Sequence, residues 1–560
     1  MAACITRRCL GRAPVILLLV LAVLLLPSGA AFAADGVPLY PPGIDSAYTT
    51  CTMTNADLSG PMLAFELRPM DPPIGAPSGS ATARRGGYAV YNPAIYGWNA
   101  ATGVNWPLGK EVAAWTDAML QVDPTVADRS GTVYVAWSQR DDVTDDADIW
   151  LWKGTESGVA AAGYPRLLVR GPASTNQVTP DMGVVTLGGG HELWLAWADD
   201  RDTGGATTEI HVLDLSGDSD GDGTADIDEA GFTPATAGLR MDPSGDLVQG
   251  EHDPSVGAKG VFWLDDREAA GSGESEIWRG QPFLNDASAG LFCAVPAGSV
   301  KLNVRATGNG AAWLGPGVAG GPFEPWGKDI GKAARILAFL GDPGEFDASG
   351  SAYAFTGRHL GTTDLDRDVF FFSPSLRQVV PVCSAGAANG AYDHRLTQAM
   401  PAVSTAPGGY RVVWSDARNH YANAAVTPDG SLAYRLYVAL VPTVTLKASR
   451  RTFALHKTTA LSTKVGPDFK GYAVLFQKGK RHTFSSGYGT HEWFDGWKTL
   501  KGQRLGTGSK ASFSWRPAAK GTYWVRAWFK GGKKYVDVTS AGRKVPHIPM
   551  TSRVVRIVVR

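Results

Sequence analysis

The hydrophobic positions fall into short runs of four to eight residues, cut by turn residues at close intervals, with no helical period. Four stretches repeat one pattern. In the first, Asp123-Pro124-Thr125-Val126 leads to Tyr134-Val135-Ala136-Trp137. Thr179-Pro180-Asp181 leads to Leu193-Trp194-Leu195-Ala196-Trp197-Ala198-Asp199-Asp200-Arg201, and Asp253-Pro254-Ser255-Val256 leads to Val261-Phe262-Trp263-Leu264-Asp265-Asp266-Arg267. Met400-Pro401-Ala402-Val403 leads to Val412-Val413-Trp414-Ser415-Asp416-Ala417-Arg418. Each copy is followed by one more short strand: Asp148 to Trp152, Glu209 to Leu213, Glu276 to Trp278 and Tyr434 to Val438. Weaker copies centre on Tyr91, Trp313 and Phe355, giving seven centres about every 54 residues. One such unit cannot bury both faces alone, so the units stack and close. The expected fold class is all-β, a seven-bladed β-propeller.

The repeat resembles the TolB-like family of bacterial propellers, in which Pro-x-Val, V-V-W-x-D-x-R and D-I-Y segments recur in each blade. The resemblance covers about residues 84–440 and implies a fold, not a function. Residues 34–83 include one further strand, Met62 to Leu67, that is expected to complete the ring. The opening Pro of each repeat reads as a strand beginning. The Asp-Arg pairs Asp199/Arg201, Asp265/Arg267 and Asp416/Arg418 occupy equivalent places round a ring. They therefore read as turns tied by charge-assisted hydrogen bonds, not as converging catalytic groups.

From Val441 the composition changes. Residues 441–560 hold 24 Lys and Arg against 4 Asp and Glu, leaving 29 basic and 49 acidic residues over 1–440. A chain with zero formal net charge is therefore split into halves of −20 and +20, an asymmetry that signals an anionic partner. Strand patterns at Thr443 to Ala448, Thr459 to Val465, Tyr472 to Gln477, Ala511 to Trp515, Gly521 to Phe529 and Arg553 to Val559 predict a β-sandwich. Thr443-Val444-Thr445-Leu446, Gly496-Trp497-Lys498-Thr499, Gly521-Thr522-Tyr523-Trp524-Val525-Arg526 and Val554-Val555-Arg556-Ile557-Val558-Val559 resemble bacterial Ig-like domains. That resemblance implies an accessory adhesion or spacer module. Trp493 and Trp497, in a Gly-flanked turn region, are the candidates for exposed ligand contact.

One motif specifies chemistry. Asp218-Ser219-Asp220-Gly221-Asp222-Gly223-Thr224-Ala225-Asp226-Ile227-Asp228-Glu229 matches a twelve-residue calcium loop. Asp218, Asp220 and Asp222 supply the first three carboxylates, Gly223 the sharp turn, Thr224 a backbone carbonyl, Asp226 a ligand through water and Glu229 a bidentate close. Glu209 to Leu213 before it reads as strand, and Phe232-Thr233-Pro234 ends any helix after it, so Ca²⁺ here is expected to be a structural clip. Two other matches fail. Gly217-Asp218-Ser219-Asp220-Gly221 satisfies G-x-S-x-G, but its serine sits inside the acidic loop with no strand-to-helix turn. Asp364-Leu365-Asp366-Arg367-Asp368 lacks the glycine and the closing glutamate. No catalytic residue is nominated, and His191, His252, His394 and His420 stand singly in repeats.

The first 33 residues read as a secretory signal. Arg7, Arg8 and Arg12 precede an apolar run from Val15 to Leu26, and Ala31-Phe32-Ala33 offers a cleavage site. That run is too short to span a bilayer, so the mature chain is expected to be exported, at the cell surface or secreted, with no transmembrane helix. Of five cysteines, Cys51, Cys293 and Cys383 remain after cleavage, allowing one disulfide whose pairing stays open. These features together predict a binding or adhesion protein meeting an anionic envelope polymer, a glycan or an envelope protein, with no nucleic acid. The alternatives are a glycan or peptide hydrolase with its site in the propeller funnel, or a scaffold of an envelope complex.

Overall fold

A computed structural model describes residues 37–38, 51–69, 83–85, 88–90, 94–99, 104–108, 119–141, 146–187, 190–234, 237–241, 250–266, 275–281, 289–293, 300–316, 323–337, 343–357, 367–373, 378–383, 398–416, 435–466, 469–486, 489–531 and 548–560. The segment read as a secretory signal lies outside the described residues, as does Tyr91.

Seven four-stranded antiparallel sheets form the blades. Their inner strands are, in order, Cys51–Ser59, Met119–Arg129, Gln177–Leu187, Glu251–Gly257, Leu302–Ala306, Phe346–Ser349 and Gln398–Ala406. Each inner strand touches the next, and that of blade 7 touches that of blade 1, so the propeller is a closed ring. Blade 7 takes its outermost strand from the N-terminal side of the chain: Val37–Pro38 pairs antiparallel with Arg435–Pro442. The second strand of blade 1 is Met62–Pro69, paired to Ala94–Asn99. Residues before 84 thus supply two inner strands of one blade and the outer edge of another, and Phe65, not Tyr91, matches the other central aromatics.

The central strands are hydrophobic on both sides because a blade is covered on both faces. Gly260–Asp265 and Ala352–Gly357 are buried at every residue, and Gly310–Pro316 at all but Pro316. Trp137, Trp197, Trp263 and Trp414, one per repeat, are completely enclosed. Truncating one to Ala is expected to cost about 3–5 kcal/mol. The closing seam has its own core, in which Met53, Phe65 and Trp98 of blade 1 pack with Val413, Leu436 and Val438 of blade 7.

The repeat proline does not begin a strand. Pro124, Pro180, Pro254 and Pro401 lie inside their inner strands, at β-bulges. Each follows a residue in the left-handed region: Asp123, Thr179, Asp253 and Met400, with Asn55 and Asn303 equivalent in blades 1 and 5, at φ of 47–53°. The edge of an inner strand faces the axis, so a missing N–H there breaks no ladder.

Arg435–Pro442 runs straight into a C-terminal two-sheet sandwich. One sheet has Val444–Ala448, Thr459–Val465 and Lys510–Trp515; the other orders Thr452–Phe453, Val555–Val559, Gly521–Phe529, Ala473–Ser486 and Gly489–Arg504, with Met550–Thr551 beside Gly521–Phe529. Its core is continuous with that of blades 6 and 7, from Phe371 and Trp414 through Val441 to Phe469, Phe476 and Ile557. Thr443 N–H donates to the Gly408 carbonyl and Ile548 N–H to the Leu440 carbonyl across the join.

Candidate functional site

The inner strands enclose an axial cavity of about 490 Å³. Seven carboxylates line it (Asp57, Asp123, Asp128, Asp181, Asp253, Glu345 and Asp347), with Arg305 as the cation among the described residues. Strand register places three of them, Asp57, Asp181 and Asp347, at one level of the ring. Asp57, Thr125, Asp181, Ser255, Arg305, Asp347 and Ala402 lie opposite Ala64, Ala136, Ala196, Phe262, Ala312, Ala354 and Val413. They are the same position in seven blades.

Five of the seven pin their blade to the next. Val126 N–H donates to Asp57 Oδ2 at 2.6 Å, Met182 N–H to Thr125 Oγ1 at 3.1 Å and Val256 N–H to Asp181 Oδ2 at 2.7 Å. Ala306 N–H donates to Ser255 Oγ at 2.9 Å and Val403 N–H to Asp347 Oδ2 at 2.7 Å. Ala402 offers no acceptor at the turn from blade 7 to blade 1, and there Leu58 N–H is capped by its neighbour Asp57 Oδ1 at 2.7 Å. At the turn from blade 5 to blade 6, Arg305 Nε stands 3.9 Å from Asp347 Oδ1.

Crowding these groups away from water disfavours their charged form. Burial, then the charge of Asp57, pushes Asp181 up to about 6 and Asp347 up to about 7. Burial also raises Asp57, against the bonds from Val126 and Leu58. Asp123 is raised to about 6 by burial and then by Glu66. Those two carboxyl groups share the Asn55 amide, whose Nδ2 lies 2.7 Å from Glu66 Oε1 and 3.1 Å from Asp123 Oδ1. Beside the cavity-lining Asp253, His252 lies 3.4 Å from both Asp253 and Asp266. Burial acts to lower its pKa, yet the hydrogen bonds it donates to the two aspartates outweigh that and hold it at about 9.

In blade 3 the Trp-x-Asp-x-Arg segment ties its own turn, while Arg267 and Arg418 of the equivalent segments lie outside the described residues. Asp199 accepts from Trp197 Nε1 at 2.7 Å, from Arg201 Nε at 2.7 Å and from Arg201 N–H at 2.9 Å. Trp414 Nε1 donates to Asp416 Oδ2 at 3.1 Å. In blade 4 the Trp263 indole instead meets Glu251 Oε1 at 3.1 Å.

The acidic loop lies on blade 3, between Glu209–Asp214 and Leu239–Arg240. Carboxylate oxygens of Asp218, Asp220 and Asp222 lie within 4.8 Å of one another and are exposed. Asp218 accepts from Gly221, Asp222 and Gly223 N–H, and Asp222 from Thr224 N–H at 2.7 Å. Gly223 takes φ +89°, a conformation that suits glycine. Asp226 and Glu229 stand outside the 4.8 Å group; Asp226 Oδ1 accepts from Ser219 N–H at 2.7 Å. Loss of hydration and the charges of Asp220, Asp226, Asp222 and Asp218 raise the Glu229 carboxyl.

The end of the loop grips the neighbouring blade. Tyr164 Oη donates to Asp228 Oδ1 at 2.6 Å, Lys153 pairs with Asp228 Oδ2, and Ile227 is buried with Ile149, Leu151 and Leu168 of blade 2.

Trp493 and Trp497 are not in a turn: both belong to the sixteen-residue strand Gly489–Arg504. The Trp497 ring is half-buried beneath the Arg526 guanidinium, 3.9 Å from its centroid, and the Trp493 side chain lies outside the described residues. Cys293 is half-buried in Gly290–Cys293, and the side chains of Cys51 and Cys383 lie outside the described residues. Sequence reading missed the axial ring, although its signal is visible: Thr125, Asp181 and Ser255 each directly follow the repeat proline.

No family model matches the chain, and no curated protein does. Among solved structures it is similar to Pyrococcus horikoshii acylaminoacyl peptidase (TM-score 0.39, 8% identity, 75% of this chain and 59% of that one). It is similar also to oligopeptidase B from Trypanosoma brucei (0.31, 10%, 66% and 54%) and to the catalytic domain of Coprinopsis cinerea GH62 α-L-arabinofuranosidase (0.28, 11%, 60% and 94%). The chain spans about three fifths of the acylaminoacyl peptidase's length. At these scores the likenesses carry no functional argument.

Proposed function

We propose that this is an exported binding protein whose TolB-like propeller offers an acidic axial well to a ligand or partner and whose cationic, Ig-like sandwich meets an anionic envelope polymer. One observation supports binding over catalysis. The best-buried axial aspartates, Asp57, Asp181 and Asp347, spend their oxygens on backbone N–H groups of the next blade. Each is tied into a joint between blades, so none is free to carry a proton to and from a substrate. The −20/+20 division supports the second contact, and the features of residues 1–33 support export. The test is binding of the full-length protein to purified cell envelope across a salt series. Affinity is expected to fall as salt rises, because exposed charges are screened. Absence of binding at the lowest salt removes the envelope contact.

Calcium is part of the same proposal. Asp218, Asp220 and Asp222 converge as hard-oxygen ligands, and the loop's far end clamps blade 2. An affinity of order 10⁻⁴–10⁻³ M is typical of extracellular modules. Ca²⁺ at ~10 mM is then expected to stabilise the fold by about 1.4–2.7 kcal/mol. Calorimetry with and without the ion checks this, with Asp222→Ala expected to abolish the increment.

A hydrolase in the funnel is the second reading, favoured by the Glu66–Asp123 pair. Two carboxyl groups sharing one amide, one of them pushed up to about 6, are the kind of couple general acid-base chemistry uses. Release of product from chromogenic glycosides or peptides that Asp123→Asn abolishes would select it.

A further inference from the structure

We infer that the outer face of the larger sandwich sheet is a binding site for an acidic polysaccharide, gripped by Arg526 stacked on Trp497 and by Arg556 beside Trp524. The inference rests on the proposal that the cationic half meets an anionic polymer, and assigns that contact to particular side chains.

Alternation along Gly521–Phe529 separates two faces. Val525, Ala527 and Phe529 are fully enclosed in the sandwich core, while Trp524, Arg526 and Trp528 stand half-exposed on the opposite side. Arg526 lies over the Trp497 ring, and its Nε donates to Gln477 Oε1 at 2.9 Å. A flat ring beneath and an amide at one edge fix the guanidinium plane. The Nη pair is left, bonded to nothing among the described residues, as the parallel donors that a carboxylate matches.

The place for this stack is made by a glycine. Gly479 lies at a bulge, where a Cβ would come within 2.8 Å of the Trp497 ring. Any side chain there lifts the indole off the sheet and takes Arg526 with it.

A second cation–ring group adjoins the first. Arg556 pairs across from Trp524 with its guanidinium 5.9 Å from that ring, and Arg481 stands 5.2 Å from the same ring. Phe494 bridges the two groups, 5.4 Å from Trp524 and 6.3 Å from Trp497. Arg526 and Arg556 are diagonal neighbours on paired strands, about 7–8 Å apart at the backbone. A chain of uronate sugars answers both features, with acid groups at intervals and apolar sugar faces between them for the rings. Opposing charge is scarce: residues 441–560 hold four acidic residues, and among the described side chains Asp495 is bound to His482 at 2.8 Å.

The experiment measures binding of the full-length protein to immobilised polygalacturonate and to neutral dextran at ~20 mM and ~500 mM salt. The wild type is expected to bind the first polymer and not the second. Arg526→Lys keeps the charge but loses the fork, and Gly479→Ala displaces the indole; each is expected to weaken binding about tenfold or more. Lys447→Gln, an exposed change on the smaller sheet, is expected to stay within about twofold. Arg526→Lys is a surface change, so an unaltered melting temperature excludes misfolding as the cause. Wild-type binding that both site variants retain overturns this site while leaving the envelope contact intact. Wild type that binds neither the polymer nor purified envelope overturns both. A salt-reversible oligomer without polymer, dispersed by Arg526→Lys, overturns the inference by assigning the face to a second copy of the chain.

Discussion

Asp199 shows how one carboxylate can serve as scaffold. It is fully enclosed and accepts the indole N–H two residues before it and the guanidinium two residues after it. Burial acts to raise its pKa, but the bond from Arg201 and the nearby His211 outweigh that and leave it lowered. Asp199→Ala is therefore expected to strand Arg201 and cost about 3–5 kcal/mol in a denaturation experiment. The axial aspartates shift the other way. A carboxyl group whose folded pKa lies above its unfolded value adds stability at low pH and loses it as pH rises. For Asp347, held at about 7 against an ordinary 3.8, that loss runs from about pH 4 to pH 7. Asp347→Asn is expected to gain on the wild type by on the order of 2–4 kcal/mol across that window. Denaturant midpoints at pH 4.5 and pH 8 check it; a parallel decline in both proteins refutes it. His252 follows the opposite rule for a base. Its folded pKa of about 9 gives stability that is present below about 6.5 and fades as pH rises through 9.

At the scale of elements, the blades were legible because their central strands share one burial pattern and one aromatic. Trp137, Trp197, Trp263 and Trp414 gave the period at once, since a fully enclosed tryptophan in each unit leaves a spacing that turns cannot disguise. Blade 1 was harder to read, because Phe65 takes the tryptophan's place and Ala94–Asn99 follows only after an insertion. The fourth strands were also obscure. Leu239–Arg240 and Arg335–Ile336 are two residues long and carry no pattern of their own. In the sandwich, the long hairpin of Ala473–Ser486 and Gly489–Arg504 escaped notice since Gly479, Gly489, Gly496 and Gly502 look like turns. Gly479 instead makes room for a ring laid across the sheet. The axial ring could not be inferred from residue types alone. Asp, Thr, Ser, Arg and Ala are five different residue types, and it takes the strand register to show all seven as one position. Strand Val37–Pro38 carries a prediction of its own. Deleting it uncovers the edge of Arg435–Pro442, so the seam between blades 7 and 1 is expected to become the first site of proteolysis, readable by mass spectrometry of limited digests.

Across the whole molecule the ring is not uniform. Four of its turns carry a pin from an inner-strand side chain to the next blade's N–H over blades 1 to 5, and a fifth joins blades 6 and 7. The closing turn lacks one, yet the Gly60 carbonyl there accepts from Ser404 Oγ at 3.0 Å and also from Arg411. Between blades 5 and 6 stand the Gly308–Gly350 backbone bond and the Arg305–Asp347 contact. That joint also has the shortest inner strand, Phe346–Ser349. Strain reaching the circle from the sandwich fused to blade 7 would thus be released two blades away, like a bracelet that parts at its clasp whichever link is tugged. Amide exchange of the intact protein should be fastest, among inner strands, at residues 346–349.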